Sequence, residues 1–359
     1  MQRLPLLLLG FVALLVGVAA GLARLDWPMP ALTGPIVALH GPLMVCGFFG
    51  VVIALERAVA VSRWWAYLSP LVAGLGTLLA LIGALQWASW FYVVAGLVLL
   101  LASLDVFRRQ PALFTLTLVL GALTWVVGSA LWASAAALHQ VVPWWLAFLV
   151  LTIAGERLEL SRLLPPSPMA MRAFIGILVA IAIALLAART SWGITLLALA
   201  LLTLSIWLVK QDIARRTVRT QGLTRFVAVC LLSGYFWLAV AAAVLLWAGA
   251  LVPGSASYDA ALHAILLGFI FSMVFGHAPI IVPAVLHVPV PYHAWFYGPL
   301  VLLHVSLLLR LAGDAMGQFP LTRLGGALNA LAIITFIVST VTAVLRAKPA
   351  QPKAVNLKR

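Results

Sequence analysis

Charge is what this chain has least of. Asp, Glu, Lys and Arg make up 8% of its 359 residues, against 65% hydrophobic ones. So little polar surface cannot cover a water-soluble fold, and a soluble domain is excluded. Acidic groups are the scarcest, 8 against 22 Lys and Arg, for a formal net charge of +14. That excess does not gather into a nucleic-acid footprint. The basic residues sit in short loops between apolar runs, as topology determinants do, so the expected partner is the lipid bilayer and not nucleic acid. Cysteine is nearly absent too: Cys46 and Cys230 each fall inside an apolar run without paired spacing, which excludes a disulfide framework. No P-loop, no GxGxxG after a strand, no HExxH and no nucleophile elbow occurs.

What is present is a succession of apolar runs long enough to cross a membrane. They predict an all-α polytopic membrane protein with about 12 spans, at 4–24, 34–55, 66–86, 88–107, 111–134, 143–160, 170–188, 191–209, 226–250, 258–282, 293–312 and 324–345. Residues 1–346 read as one transmembrane domain and 347–359 as a basic tail. The run after Met1-Gln2-Arg3 is longer than a signal-peptide core and reads as the first span. With the N-terminus inside, only Arg24, Arg189, Arg310 and Arg323 fall outside, leaving 18 of the 22 Lys and Arg within. Both termini are therefore expected in the cytoplasm of a bacterial-type inner membrane. A weak echo recurs every four spans: Glu56-Arg57 ends span two, Glu156-Arg157 ends span six, and His277 lies at the comparable depth in span ten.

Five of the seven histidines, His263, His277, His287, His293 and His304, crowd into 257–310, and His40 lies early in span two. Ligating side chains at membrane depth are costly and mark function. At about 1.5 Å per residue, His40, His263 and His304 lie roughly 9, 8 and 12 Å below the outer ends of their spans. Three imidazoles at one depth suit a metal, one another, or backbone carbonyls. A haem iron needs one or two of them from facing helices and an apolar slot, with Gly41, Gly47 and Gly268 leaving room for a macrocycle. Arg310 and Arg323, with Arg24 and Trp27 on the same side, are candidate propionate partners. Deeper, His277 and His293 are candidates for copper or a second iron, with thioethers available from Met44 and Met273. His263 and His277, fourteen apart, share a face of an unbroken helix, and Pro279 and Pro283 are expected to break or bend the inner end of span ten. His287 and His293 also read as interfacial, and His139 as a surface residue in an outer connection.

The segment His40-Gly41-Pro42-Leu43-Met44-Val45, together with Leu262-His263-Ala264, Gly268 and Met273, resembles the NnrS family of haem- and copper-containing membrane proteins. More distantly the chain is similar to the catalytic subunit of haem–copper oxidases and nitric oxide reductases. The resemblance implies twelve helices as three pseudo-symmetric four-helix units, with haem ligands on spans two and ten, here His40 and His263. Spans six and seven lack the histidines that hold copper in the oxidases, so reduction of oxygen or nitric oxide is not carried over. The expectation is a haem b protein, with copper as a second candidate cofactor, that meets a diatomic gas such as nitric oxide or a redox partner. The rival is a proton-coupled secondary transporter without haem, using Glu56, Glu156 and His277.

Overall fold

A computed structural model describes residues 3–29, 32–161 and 165–347. Of the expected tail, residues 348–359 lie outside the described residues. Among the described residues twelve helices are long and apolar enough to cross a membrane. They are α1 Leu4–Ala23, α2 His40–Val61, α3 Trp64–Leu81, α4 Leu85–Arg109, α5 Leu113–Ala133 and α6 Leu138–Leu160. After these come α7 Pro168–Leu186, α8 Ser191–Gln211, α9 Gly222–Ala248, α10 Ala256–Leu286, α11 Ala294–Met316 and α12 Phe319–Arg346. The protein is an all-α polytopic membrane protein. Helices are the natural outcome here, because only they satisfy every backbone amide within one segment inside hydrocarbon.

Twelve spans put both ends of the bundle's chain on one face, called here the terminal face; the opposite one is the far face. Successive helices pack as neighbours, and α12 returns to touch α1. Burial is greatest along α6 and α2, at 72% and 67% of their central windows, with α10 at 61%, whereas α1 and α12 reach 28%. The three helices that carry the four-span echo are thus among the innermost.

Helix ends differ from the sequence expectation mainly where glycine and proline sit. Span two starts with a short helix, Gly34–Ala38, that breaks at Leu39 before α2 proper begins at His40. α6 starts five residues early and runs through Pro143, so His139 lies in its first turn. Of the expected break or bend in α10 the structure shows no break, since the helix runs through both Pro279 and Pro283; it ends at His287 in the left-handed conformation, φ +57°. Satisfying neighbours let prolines persist in membrane helices.

The departure that matters most is in α2 and α10. Each contains a π-helical segment, Leu43–Phe49 just after His40–Pro42 and Ala264–Phe271 directly after His263. A π segment takes up an additional residue in a helix and is often found at functional sites. Among the described residues α6 is α-helical throughout.

Candidate functional site

His40 and His263 face one another near the far face. Their ring centroids are 6.3 Å apart and the planes differ by 18°. Each ring is fixed by its Nδ1: that of His40 lies 2.7 Å from the Gly17 carbonyl, and that of His263 lies 2.9 Å from the Asp259 carbonyl. A carbonyl can only accept, so Nδ1 carries the proton in both rings and Nε2 is left with its lone pair. α1 makes room for the first ring at Gly21, where a Cβ would come within 2.8 Å of the His40 Cε1, and small residues let membrane helices approach closely.

Eight residues below each histidine lies a phenylalanine. Phe48 and Phe271 stack at 6.0 Å and 9°. In an α-helix residues eight apart diverge by about 80°, since each residue turns the chain about 100°. With one residue absorbed by the π segment, eight positions act as seven, and the divergence falls to about 20°. The two π segments therefore bring His40 over Phe48 and His263 over Phe271, in two layers of paired rings. The same shift overturns the expected common face of His263 and His277. His263 meets His40 on α2, whereas His277 turns to α6, where its Nε2 lies 3.2 Å from Nη1 of Arg157.

A charged chain backs the histidine pair. Asp259 Oδ1 lies 3.2 Å from Nδ1 of His263, and its two oxygens accept from Arg310 Nε at 2.7 Å and Nη2 at 2.8 Å. Asp259 was not among the residues singled out from the sequence, although its i, i+4 spacing from His263 is the signal that finds it. Arg310 is thus a partner of Asp259. Arg323 ties α12 to the exit of α1: its Nη2 donates to the Asp26 carbonyl at 2.9 Å and its guanidinium lies 4.4 Å from the Trp27 ring centroid.

The remaining candidates are dispersed. His304 uses both nitrogens on α9, accepting from Trp237 Nε1 at 2.9 Å and meeting the Ser233 hydroxyl at 3.0 Å. It turns toward α9 and takes no part in the His40–His263 pair. His293 is exposed and caps a short 3₁₀ turn through Trp295 N, and His287 meets Arg3 at 3.2 Å. The His277 Nδ1 lies 2.8 Å from the Met273 carbonyl. Met44 and Met273 fill notches at Gly17 and Gly234. Among the described residues no three His, Cys, Asp or Glu side chains gather as a metal site. The macrocycle space expected at Gly47 and Gly268 is taken by Ala13 and Thr77, and by Trp237; only Gly41 faces open space.

A second polar centre, of which the sequence reading named only Arg157 and His277, lies toward the terminal face. Arg157 Nε donates to Asp212 Oδ2 at 2.9 Å, Tyr235 donates its hydroxyl to the same oxygen at 2.5 Å, and Ala214 N donates to Oδ1 at 2.8 Å. Beside it, Glu56, Glu156 and His277 line one cavity of about 1560 Å³, so the four-span echo is a meeting of three helices.

The family model for a domain of unknown function, DUF8744, matches residues 3–345. The chain belongs to that family. The match takes in all twelve helices and both ring layers of this DUF8744 chain. No curated protein matches it.

Proposed function

We propose that the chain is a membrane haem protein that holds a haem b iron between His40 and His263 and serves electron transfer. One observation carries this: two near-parallel imidazoles from different helices, 6.3 Å apart, each with Nδ1 committed to a backbone carbonyl. A metal–imidazole bond of about 2.0–2.1 Å on each side, plus about 1.1 Å from ring atom to ring centre twice, gives roughly 6.3 Å between centroids. Nδ1–H bound to a carbonyl is the usual second-shell arrangement for a ligating histidine. The residues therefore fit a bis-histidine iron. When bound, the haem supplies one-electron chemistry, and two protein ligands favour electron transfer over gas binding. Gly17 and Asp259 orient the rings, and Arg310 holds Asp259 in place. The open side at Gly41 offers the approach for a flat group. A diatomic gas such as nitric oxide would have to displace one histidine.

The reading includes a bacterial-type inner membrane with the terminal face cytoplasmic, supported by the distribution of Lys and Arg. Kinship with the NnrS family belongs to the same proposal, supported by the pairing of α2 with α10. The transporter reading draws on the cavity beside Glu56 and Glu156. Absorption spectra of the purified protein, oxidised and dithionite-reduced, separate the two. A Soret band with sharp reduced bands, lost in both His40→Ala and His263→Ala and kept in His304→Ala, is expected. Protein expressed with haem supplied that shows no Soret band would sink the haem reading and leave the transporter.

A further inference from the structure

α1 and α12 meet at the far face, where Leu25 packs on Gly326 and Arg323 binds Asp26 and Trp27. Toward the terminal face both line the 1560 Å³ cavity, so the two helices part and open a crevice between them. Its lips are apolar and face lipid: Leu8 on α1 is 53% exposed and Val341 on α12 is 50% exposed. Its inner wall, from α2, α6 and α10, carries Glu56, Glu156 and His277. His277 has both nitrogens engaged, by Arg157 and the Met273 carbonyl. Neither carboxylate has a hydrogen-bond partner among the described residues.

This polarity selects an occupant. A lipid tail in the crevice would lay hydrocarbon against two carboxyl groups, which leaves them without hydrogen bonds. A phosphate or fatty-acid head entering first would meet two acidic groups. A cationic head gains little, because Arg57 and Arg157 already lie within electrostatic reach of Glu156. What remains is a long apolar tail with a neutral head that exchanges hydrogen bonds with carboxyl groups. We propose that the crevice binds a lipid-soluble quinone or quinol, its ring at Glu56 and Glu156 and its tail leaving between α1 and α12. A protonated carboxyl group donates to a quinone's carbonyl, and a carboxylate accepts from a quinol's hydroxyl.

The test uses the full chain reconstituted in lipid nanodiscs and a decyl-tailed benzoquinone bearing a photoreactive azide. Saturable binding is expected, with crosslinks on α1, α12 or the Glu56–Glu156 wall. Leu8→Trp with Val341→Trp fills the lips from lipid-exposed positions and should abolish binding. Glu56→Leu with Glu156→Leu removes the polar groups at similar size and should weaken it at least about tenfold. Binding should persist in the His40→Ala, His263→Ala double variant, so that the site stands or falls apart from the haem. Binding equal to that of the unaltered chain in the lip-filled and leucine variants, crosslinks elsewhere, or retention of phospholipid that the quinone does not displace would each overturn the proposal.

Discussion

Removing the carboxylate of Asp212 is the sharpest stability test of the bundle. Its side chain is 2% exposed and that of Arg157 is 4% exposed, so the pair is shut away from water. Asp212 accepts from Arg157, Tyr235 and Ala214, joining α6, α9 and the short helix Ala214–Thr217. Asp212→Ala strips one charge and leaves the guanidinium buried beside a histidine. Breaking a buried pair from one side costs about 3–5 kcal/mol, since an uncompensated charge remains. Removing both charges, as Arg157→Met with Asp212→Leu, should cost less by at least about 2 kcal/mol, because the desolvation of both ions is relieved. Both variants also leave the Tyr235 hydroxyl and the Ala214 amide without acceptors, roughly 1–3 kcal/mol each, a further cost that cancels in the comparison. Equilibrium unfolding by surfactant titration in detergent micelles reads the three stabilities. A single variant within about 1 kcal/mol of wild type, or a double variant no better than the single, would refute the reasoning.

His304→Ala should cost about 1–2 kcal/mol by removing two hydrogen bonds to α9, measured in the same titration, and should leave any haem spectrum unchanged. Gly50→Ala should destabilise by about 1–3 kcal/mol, because the new Cβ would lie 2.6 Å from the Trp125 ring; a stability equal to wild type contradicts that packing. Cys46 and Cys230 are both buried, so neither should react with a maleimide until the protein unfolds, and labelling followed by mass spectrometry checks this.

The spans were legible because hydrocarbon imposes one rule, an unbroken apolar helix, on every crossing. So was the pairing of His40 with His263, since depth follows from counting residues. Bearing around the helix axis does not follow from counting. Leu43–Phe49 reads Leu-Met-Val-Cys-Gly-Phe-Phe, apolar at every position, and nothing in such a run distinguishes α from π winding. For that reason His263 and His277 were expected on one face, and His304 at the right depth gave no hint that it turns to Trp237. The Arg157–Asp212 pair spans 55 positions and joins a helix end to a loop start, a contact no periodicity encodes. Glu56, Glu156 and His277 recur at a period that sequence does show, and they meet.

The winding of α2 and α10 carries a consequence for how the chain tolerates change in length. Deleting one residue within 43–47 would let α2 close into an ordinary α-helix with seven steps from His40 to the phenylalanine, the same turn about the axis that the π winding already gives. His40 would stay over Gly17 and the phenylalanine would keep its place beside Phe271. The same holds for the corresponding stretch of α10. A deletion beyond either stretch has no such slack and turns everything past it by about 100°. Each π stretch is thus a place where its helix can shed one residue without moving the ring layers, and the two stretches do so independently of one another.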